Sequence, residues 1–227
     1  MYQERPAALR GSTVWRRVAT PGQVLILPDG CMDLIWTSRG DLFVAGPDMR
    51  PQILSSQPGL TYDGIRFASG VGPEVFGVAA FELVNGRVPL EDIWRPAEAR
   101  RLAGRLATSP DPGVVLDAAG KERLRASGGP EPMIVEIVRL LRAGTPVATV
   151  ADRVGLSERH LHRRSLESFG YGPKTLARIM RLGQAMDLAR AGGAHADVAA
   201  EAGYADQAHM AREVRALADT TMRQLAG

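Results

Sequence analysis

Cysteine occurs once in the 227 residues, as Cys31, which excludes an intrachain disulfide and any multi-cysteine zinc module. Lysine is confined to Lys121 and Lys174, an arginine bias that a GC-rich genome explains as readily as function does. No apolar run approaches the roughly eighteen residues of a membrane helix. The opening MYQERPAALRGS lacks the apolar core and cleavage site of a secretory signal. A cytoplasmic protein with no membrane partner is therefore expected. Also missing are a GxSxG elbow, an HExxH pair, a phosphate loop and a PCHR-like setting for an activated thiolate. Neither a hydrolase nor an alkyl-transfer enzyme is expected, and neither a metal nor a cofactor. Finally, there is no strong charge imbalance. The formal net charge is +3, and residues 130–227 hold 13 Arg and Lys against 11 Asp and Glu. Whole-chain charge thus says little about nucleic acid, and only local placement can.

What is present divides in two. Between residues 13 and 67, short apolar runs (VLIL at 24–27, CMDLIW at 31–36, DLFVAG at 41–46, GIRFA at 64–68) alternate with turn chemistry such as Pro28-Asp29-Gly30. Their spacing of roughly ten residues predicts a small antiparallel sheet, sandwich or barrel. Short helices or turns are expected at 72–84 and 89–94, and helices at 95–107 and 113–126. The stretch ASGGPEP, 126–132, would end any helix and reads as a linker. The expected fold class is α+β: a β-rich, barrel-like domain with trailing short helices over 1–128, and an all-α domain over 129–227 that opens with a helix at 133–143.

The second half contains an imperfect repeat. Val150, Ala151, Gly155, Leu156, Leu161 and Arg163 are matched by Val198, Ala199, Gly203, Tyr204, Met210 and Arg212. The offset is 48 residues before the turn and 49 after it, so the second copy carries one extra residue. Each copy fits a short helix, a glycine-centred turn and a second helix. Glycine accepts the positive φ of such a turn, and Ser157 and Asp206 stand where an N-cap would satisfy free amides. Between the copies, Pro173 to Arg190 reads as one connecting helix, with Leu176, Ile179, Gly183 and Met186 on its packed face.

VATVADRVGLSERHL at 147–161, FGYGPKTLARIMRLGQAMDLAR at 169–190 and AGYADQAHMAREV at 202–214 together resemble the DNA-binding domain of the AraC/XylS family of transcription regulators. The resemblance implies two helix-turn-helix motifs whose second helices enter successive major-groove segments. Its base-reading positions fall on Arg159, His162 and Arg163 in the first copy, and on Gln207, His209 and Arg212 in the second. Arginine pairs bidentately with guanine and glutamine with adenine, so these residue types suit the task. The competing reading of Arg163 and Arg212 is a solvated arginine paired with a neighbouring Glu167 or Glu213; the repeat favours base or phosphate contact. Arg164 and Lys174 are candidates for phosphate contact. His160 is expected in the core. One position departs from the family pattern: Ser165 stands where Phe is usual, with Leu166 or Phe169 available to fill the space and Val214 at the matching place in the second copy.

The N-terminal phrases LPDGCMDLIW, VAGPDMRP and VPLEDIW resemble, more loosely, sensor-like domains of short family members. This implies an effector-binding or dimerising role. Asp33, Arg50 and Arg66 are the candidate pocket residues, and Cys31 reads as a buried strand cysteine rather than a sensor. Double-stranded DNA is the expected partner and the nucleoid the expected location. RNA polymerase, a small-molecule effector and a second copy of the chain stay open as partners. A module whose helices grip protein instead of DNA is the competing reading.

Overall fold

The turn residues between 13 and 67 do cut the chain into antiparallel strands. A computed structural model describes residues 1–55 and 57–226. In chain order the strands are β1 (Tyr2–Pro6), β2 (Thr13–Val18), β3 (Gln23–Ile26), β4 (Met32–Thr37), β5 (Leu42–Ala45), β6 (Gln52–Ser55), β7 (Thr61–Phe67) and β8 (Arg87–Pro89). Six of them form one antiparallel sheet in the order β1-β2-β7-β4-β5-β8, while β3 and β6 pair as a separate ribbon. The edge strands β1 and β8 lie outside the expected strand region.

Period-two alternation gives the large sheet two different faces. Val14, Leu34, Val44, Ile65 and Phe67 point to one side and are fully or nearly buried. Helices α1 (Gly72–Phe76), α2 (Pro96–Thr108) and α3 (Pro112–Ala126) complete that core with Val75, Phe76, Leu102, Leu106 and Leu116. The opposite face carries Trp15, Ile35, Phe43, Ala45 and Tyr62, a smaller apolar cluster that looks toward the ribbon. The 3₁₀ turns Ala80–Leu83 and Leu90–Asp92 connect these layers.

The C-terminal half is helical throughout: α4 (Pro132–Arg142), α5 (Val147–Arg153), α6 (Glu158–Phe169), α7 (Pro173–Arg190), α8 (His195–Glu201), α9 (Gln207–Ala218) and α10 (Met222–Ala226). They share one core that includes Ile137, Leu140, Val150, Leu161, Leu176, Ile179, Val198, Met210 and Val214. The buried face of α7 differs from the expected one. It consists of Leu176, Ile179, Leu182 and Ala185, whereas Gly183 is exposed and Met186 half-buried. Packing from both helix pairs turns α7 so that the larger Leu182 is covered.

The two halves meet closely. The 3₁₀ turn Ala80–Leu83 packs against α6, where Ser165 is fully buried with its hydroxyl unbonded. A residue this small lets the neighbouring turn approach, and Phe169, also buried, fills the adjoining core. Gly170, with φ of 75°, ends α6 in the left-handed region. A Cβ built on it would stand 2.7 Å from Pro47 and 2.9 Å from Val84. Tyr171 is buried, and its hydroxyl donates to the Asp48 carbonyl at 2.6 Å.

Candidate nucleic-acid interface and internal cavity

The two short-helix pairs are locally built as their repeat requires. Gly155 and Gly203 hold φ values of 70° and 77° at the two turns. The Ser157 hydroxyl accepts from the His160 amide at 3.3 Å, and the Asp206 carboxylate accepts from the His209 amide at 2.6 Å. Both second helices, α6 and α9, therefore start with a side-chain cap at corresponding positions. Each is anchored by buried side chains that begin with Leu161 or Met210, and the residue two places further on points away from the core.

Most of the expected reading residues lie on the open faces of those helices. Arg159, His162 and Arg163 are exposed on α6, and Gln207 and Arg212 on α9. The Arg163 Nε stands 3.9 Å from Glu167, with two-thirds of its side chain exposed, too loose and wet to hold it. Arg212 forms no ion pair among the described residues, because Glu213 is engaged by Arg178 at 2.6 and 3.2 Å. Lys174 is exposed at the start of α7. His209 is half-buried: its ring packs edge-on to Tyr204 at 5.5 Å, and Nδ1 accepts from the Ala205 amide at 3.3 Å.

Two expectations are corrected. Arg164 does not join the open face. It is half-buried between Glu131 and Glu167, bonded to the latter at 2.9 Å, and borders a cleft with Pro73 and Glu74 of the N-terminal half. Two carboxylates already occupy its donors, so a phosphate would have to displace them. His160 is exposed, since the third residue after the cap faces away from the α5 side of the helix.

Residues that the sequence did not single out fix the second pair on α7. Besides the Arg178–Glu213 pair, the Arg181 guanidinium lies over the Tyr204 ring, 5.4 Å from its centroid. Arg215 is exposed one turn beyond Arg212, and the exposed Ala208 and Ala211 leave the α9 surface low enough for close approach. The repeat offset could not have flagged Arg215, because the matching position in the first copy is Leu166, which is not basic.

Between the large sheet and the β3–β6 ribbon lies a cavity of about 1350 Å³. Its floor is the Trp15–Ile35–Phe43 surface, with Trp15 lying across Gly64, where any side chain would collide with the indole. Its polar end lies where the loops before β4 and after β5 reach the helical half. There Trp15 Nε1 donates to Asp33 Oδ1 at 2.7 Å, and Arg66 Nε stands 3.1 Å from Asp29 and 3.5 Å from Asp33. Arg87 holds Asp48 through two bonds of 3.1 and 2.6 Å. Burial, opposed by the Arg66 charge and reinforced by that of Asp29, pushes the Asp33 carboxyl up to about 6. The same carboxylate raises the Arg66 guanidinium further, so that it stays charged.

Asp33 and Arg66 therefore occupy the cavity, but Arg50 does not. It is exposed outside the cavity, and Arg87 supplies the second guanidinium. Cys31 is half-buried on the cavity wall just before β4, not within a strand, with its sulfur 3.8 Å from the Ser69 hydroxyl. Burial raises its pKa, which disfavours a reactive thiolate.

Comparison with known proteins gives two family matches and one group of similar folds. Residues 137–226 match a model described as a helix-turn-helix domain, and residues 12–89 match a domain of unknown function, DUF6597. No curated protein gives a significant sequence match. The whole chain is similar in fold to ToxT from Vibrio cholerae. Unsaturated fatty acid-bound wild-type ToxT aligns with a TM-score of 0.53 at 10% identity, covering 100% of this chain and 97% of that one. The form bound to (E)-4-(8-methylnaphthalen-1-yl)but-3-enoic acid aligns at 0.50 and 11%, covering 99% and 98%. An apo point variant aligns at 0.52 and 9%, covering 97% and 98%. At these identities the likeness is one of fold.

Proposed function

We propose that the chain is a sequence-specific transcription regulator of the AraC/XylS type, not an enzyme, which acts on double-stranded DNA in the cytoplasm; the match of residues 137–226 to a helix-turn-helix domain is the premise. The observation that carries this reading is the pair of capped helices, α6 and α9, with exposed polar faces in matching register. Arg159, His162 and Arg163 read one major-groove segment, and Gln207 and Arg212 the next. The edge of His209 left open by its Nδ1 bond is available to the same groove. Lys174 and the amides that open α5 after Pro146 hold phosphates. The direct test is selection of bound sites from random DNA by purified full-length protein. Two recurring boxes are expected, and a pool without enrichment would discard the reading in favour of a protein-gripping module.

Arg163→Ala and Arg212→Ala should each weaken specific binding by about 1–3 kcal/mol and relax base preference at different positions of the site. Binding measured against a panel of single-base operator variants separates this from a phosphate role, which would lower affinity evenly across the panel.

The N-terminal half we assign to control by a small molecule held in the cavity. The fatty acid-bound neighbour of similar fold supports this, as does the contact of the cavity wall with the first reader. Asp48 lines the cavity and, through its carbonyl, holds Tyr171 between α6 and α7. We also propose that residues 129–227 form a separately folding reader, because the helical half has its own continuous core. Expressed alone, this segment should bind the selected operator. A soluble but non-binding fragment beside an active full-length protein would show that the N-terminal half is needed to shape the reader.

A further inference from the structure

Six acidic and six basic side chains line the cavity between the large sheet and the β3–β6 ribbon, so its described lining carries no net charge. The charges most shielded from water there are matched with one another. Arg87 gives two bonds to Asp48, and Asp29 and Asp33 flank Arg66 Nε at 3.1 and 3.5 Å. What is left unmet is a set of donors. Arg66 Nε is buried without a well-directed hydrogen bond, and the terminal amino groups of the same guanidinium make none among the described residues. An ion pair balances the charge of a guanidinium, but its N–H groups still need acceptors in good geometry.

Strand alternation places these donors beside apolar surface. Arg66 rises from the same face of β7 as Tyr62, and its partner across the ladder is Asp33, on the same face of β4 as Ile35. The Arg66 side chain is 36% exposed and lines the cavity. With Nε closed off, the terminal amino groups are the donors that a ligand can reach. Facing the Trp15–Ile35–Phe43 floor, the ribbon contributes Val24, Ile26 and Leu54. The volume of about 1350 Å³ leaves room for a molecule of several rings.

We propose, resting on the reading of this cavity as an effector site, that its ligand is uncharged: a flat apolar body carrying a hydrogen-bond-accepting carbonyl. The body lies between the aromatic floor and the ribbon. The carbonyl oxygen accepts from the terminal amino groups of Arg66. An anion in that place would compete with Asp29 and Asp33 for a single guanidinium. A cation would have to draw Asp33 or Asp48 from the arginine that already holds it. A neutral acceptor disturbs neither pair and meets the donors that the protein leaves open.

The test uses full-length protein at pH 8 and four probes that share one body: 2-acetonaphthone, its hydrocarbon counterpart 2-isopropenylnaphthalene, 2-naphthoate and 2-naphthylmethylammonium. Calorimetric titration should show the ketone binding about tenfold tighter than the hydrocarbon, the scale of one hydrogen bond to a charged group, and both ions binding more weakly than the ketone. Arg66→Lys keeps a positive charge between Asp29 and Asp33 but removes the planar pair of amino groups. It should abolish the preference for the ketone and leave hydrocarbon binding unchanged. Infrared spectroscopy of an isotope-labelled carbonyl on wild-type protein gives a second reading that needs no variant. Its stretch should fall below its position in hexane, which an apolar fit alone would not produce. Tighter binding of either ion than of the ketone would overturn the neutral assignment and leave the effector reading standing. Equal binding of ketone and hydrocarbon, or an unmoved carbonyl stretch, would overturn it as well. If no probe binds, the assignment falls. The effector reading falls with it if Leu54→Trp, which fills the cavity from the ribbon side, leaves a reporter under the selected operator unchanged in cells.

Discussion

Inserting about five base pairs between the two boxes of the selected operator is expected to reduce full-length protein to single-box affinity, a loss of about a hundredfold or more. The expectation rests on the rigidity of α7. Its 18 residues span about 27 Å at 1.5 Å per residue, near the roughly 34 Å of one DNA turn. Leu176, Ile179, Leu182 and Ala185 are buried along it in a core shared with both helix pairs. The second reader is also tied down by the Arg178–Glu213 pair and the Arg181–Tyr204 stack. Half a turn of added DNA carries the second box to the far side of the duplex, where α9 cannot follow. Adding a full turn should fail too: it restores the face, but the rod cannot lengthen. Electrophoretic or fluorescence titration against the three spacings checks this, and affinity indifferent to spacing would mean that the readers move independently or that one of them is idle.

Gly170→Val is expected to be the most damaging single change at the junction of the two halves, costing about 3 kcal/mol of stability. Two penalties combine there. A β-branched residue resists the left-handed φ of 75°, and its Cβ would press on Pro47 and Val84 in the N-terminal half. Gly155 provides the internal comparison. Its φ is 70°, yet a Cβ there meets nothing within 4 Å, so Gly155→Val should cost only the conformational part, about 1–2 kcal/mol. In the second reader the same place after the helix is filled by Asp219, at φ 51°. Urea denaturation of both variants gives the difference. Equal losses would show that the Pro47 loop does not hold its contact with α6 in solution.

The helical half was legible in the sequence because its determinants are local. The glycine turns, the caps Ser157 and Asp206, and the apolar positions recur within a few residues of one another, and each repeat confirms the other. The strands of 13–67 could be read for the same reason, from alternation and turn chemistry. β1 was not, because all five of its residues are exposed and no alternation marks a strand with no buried face. Side-chain partners were harder still. Arg164 is captured by Glu131, 33 residues away, and a charged residue on a helix gives no local sign of which neighbour will claim it. Near Asp48 the sequence offered Arg50, two residues along, but strand pairing between β5 and β8 brings in Arg87 instead. The cavity depends on the gap between two sheets that pair non-locally, so no window of sequence contains it.

The clasp between Tyr171 and the Asp48 carbonyl lies at one end of α7, which makes the helix a lever with its fulcrum beside the N-terminal half. Gly30 reinforces that fulcrum, since a Cβ there would stand 2.9 Å from Leu176. With an arm of about 27 Å, a tilt of only about seven degrees moves the far end by about 3.4 Å, the rise of one base pair. Under the proposed control by a small molecule, a sub-ångström shift of the Gly46–Asp48 loop, near the pivot, would be amplified before it reached α9. Arg190, at the far end of the same arm, also lines the cavity, so residues at both ends of the connecting helix meet the cavity wall.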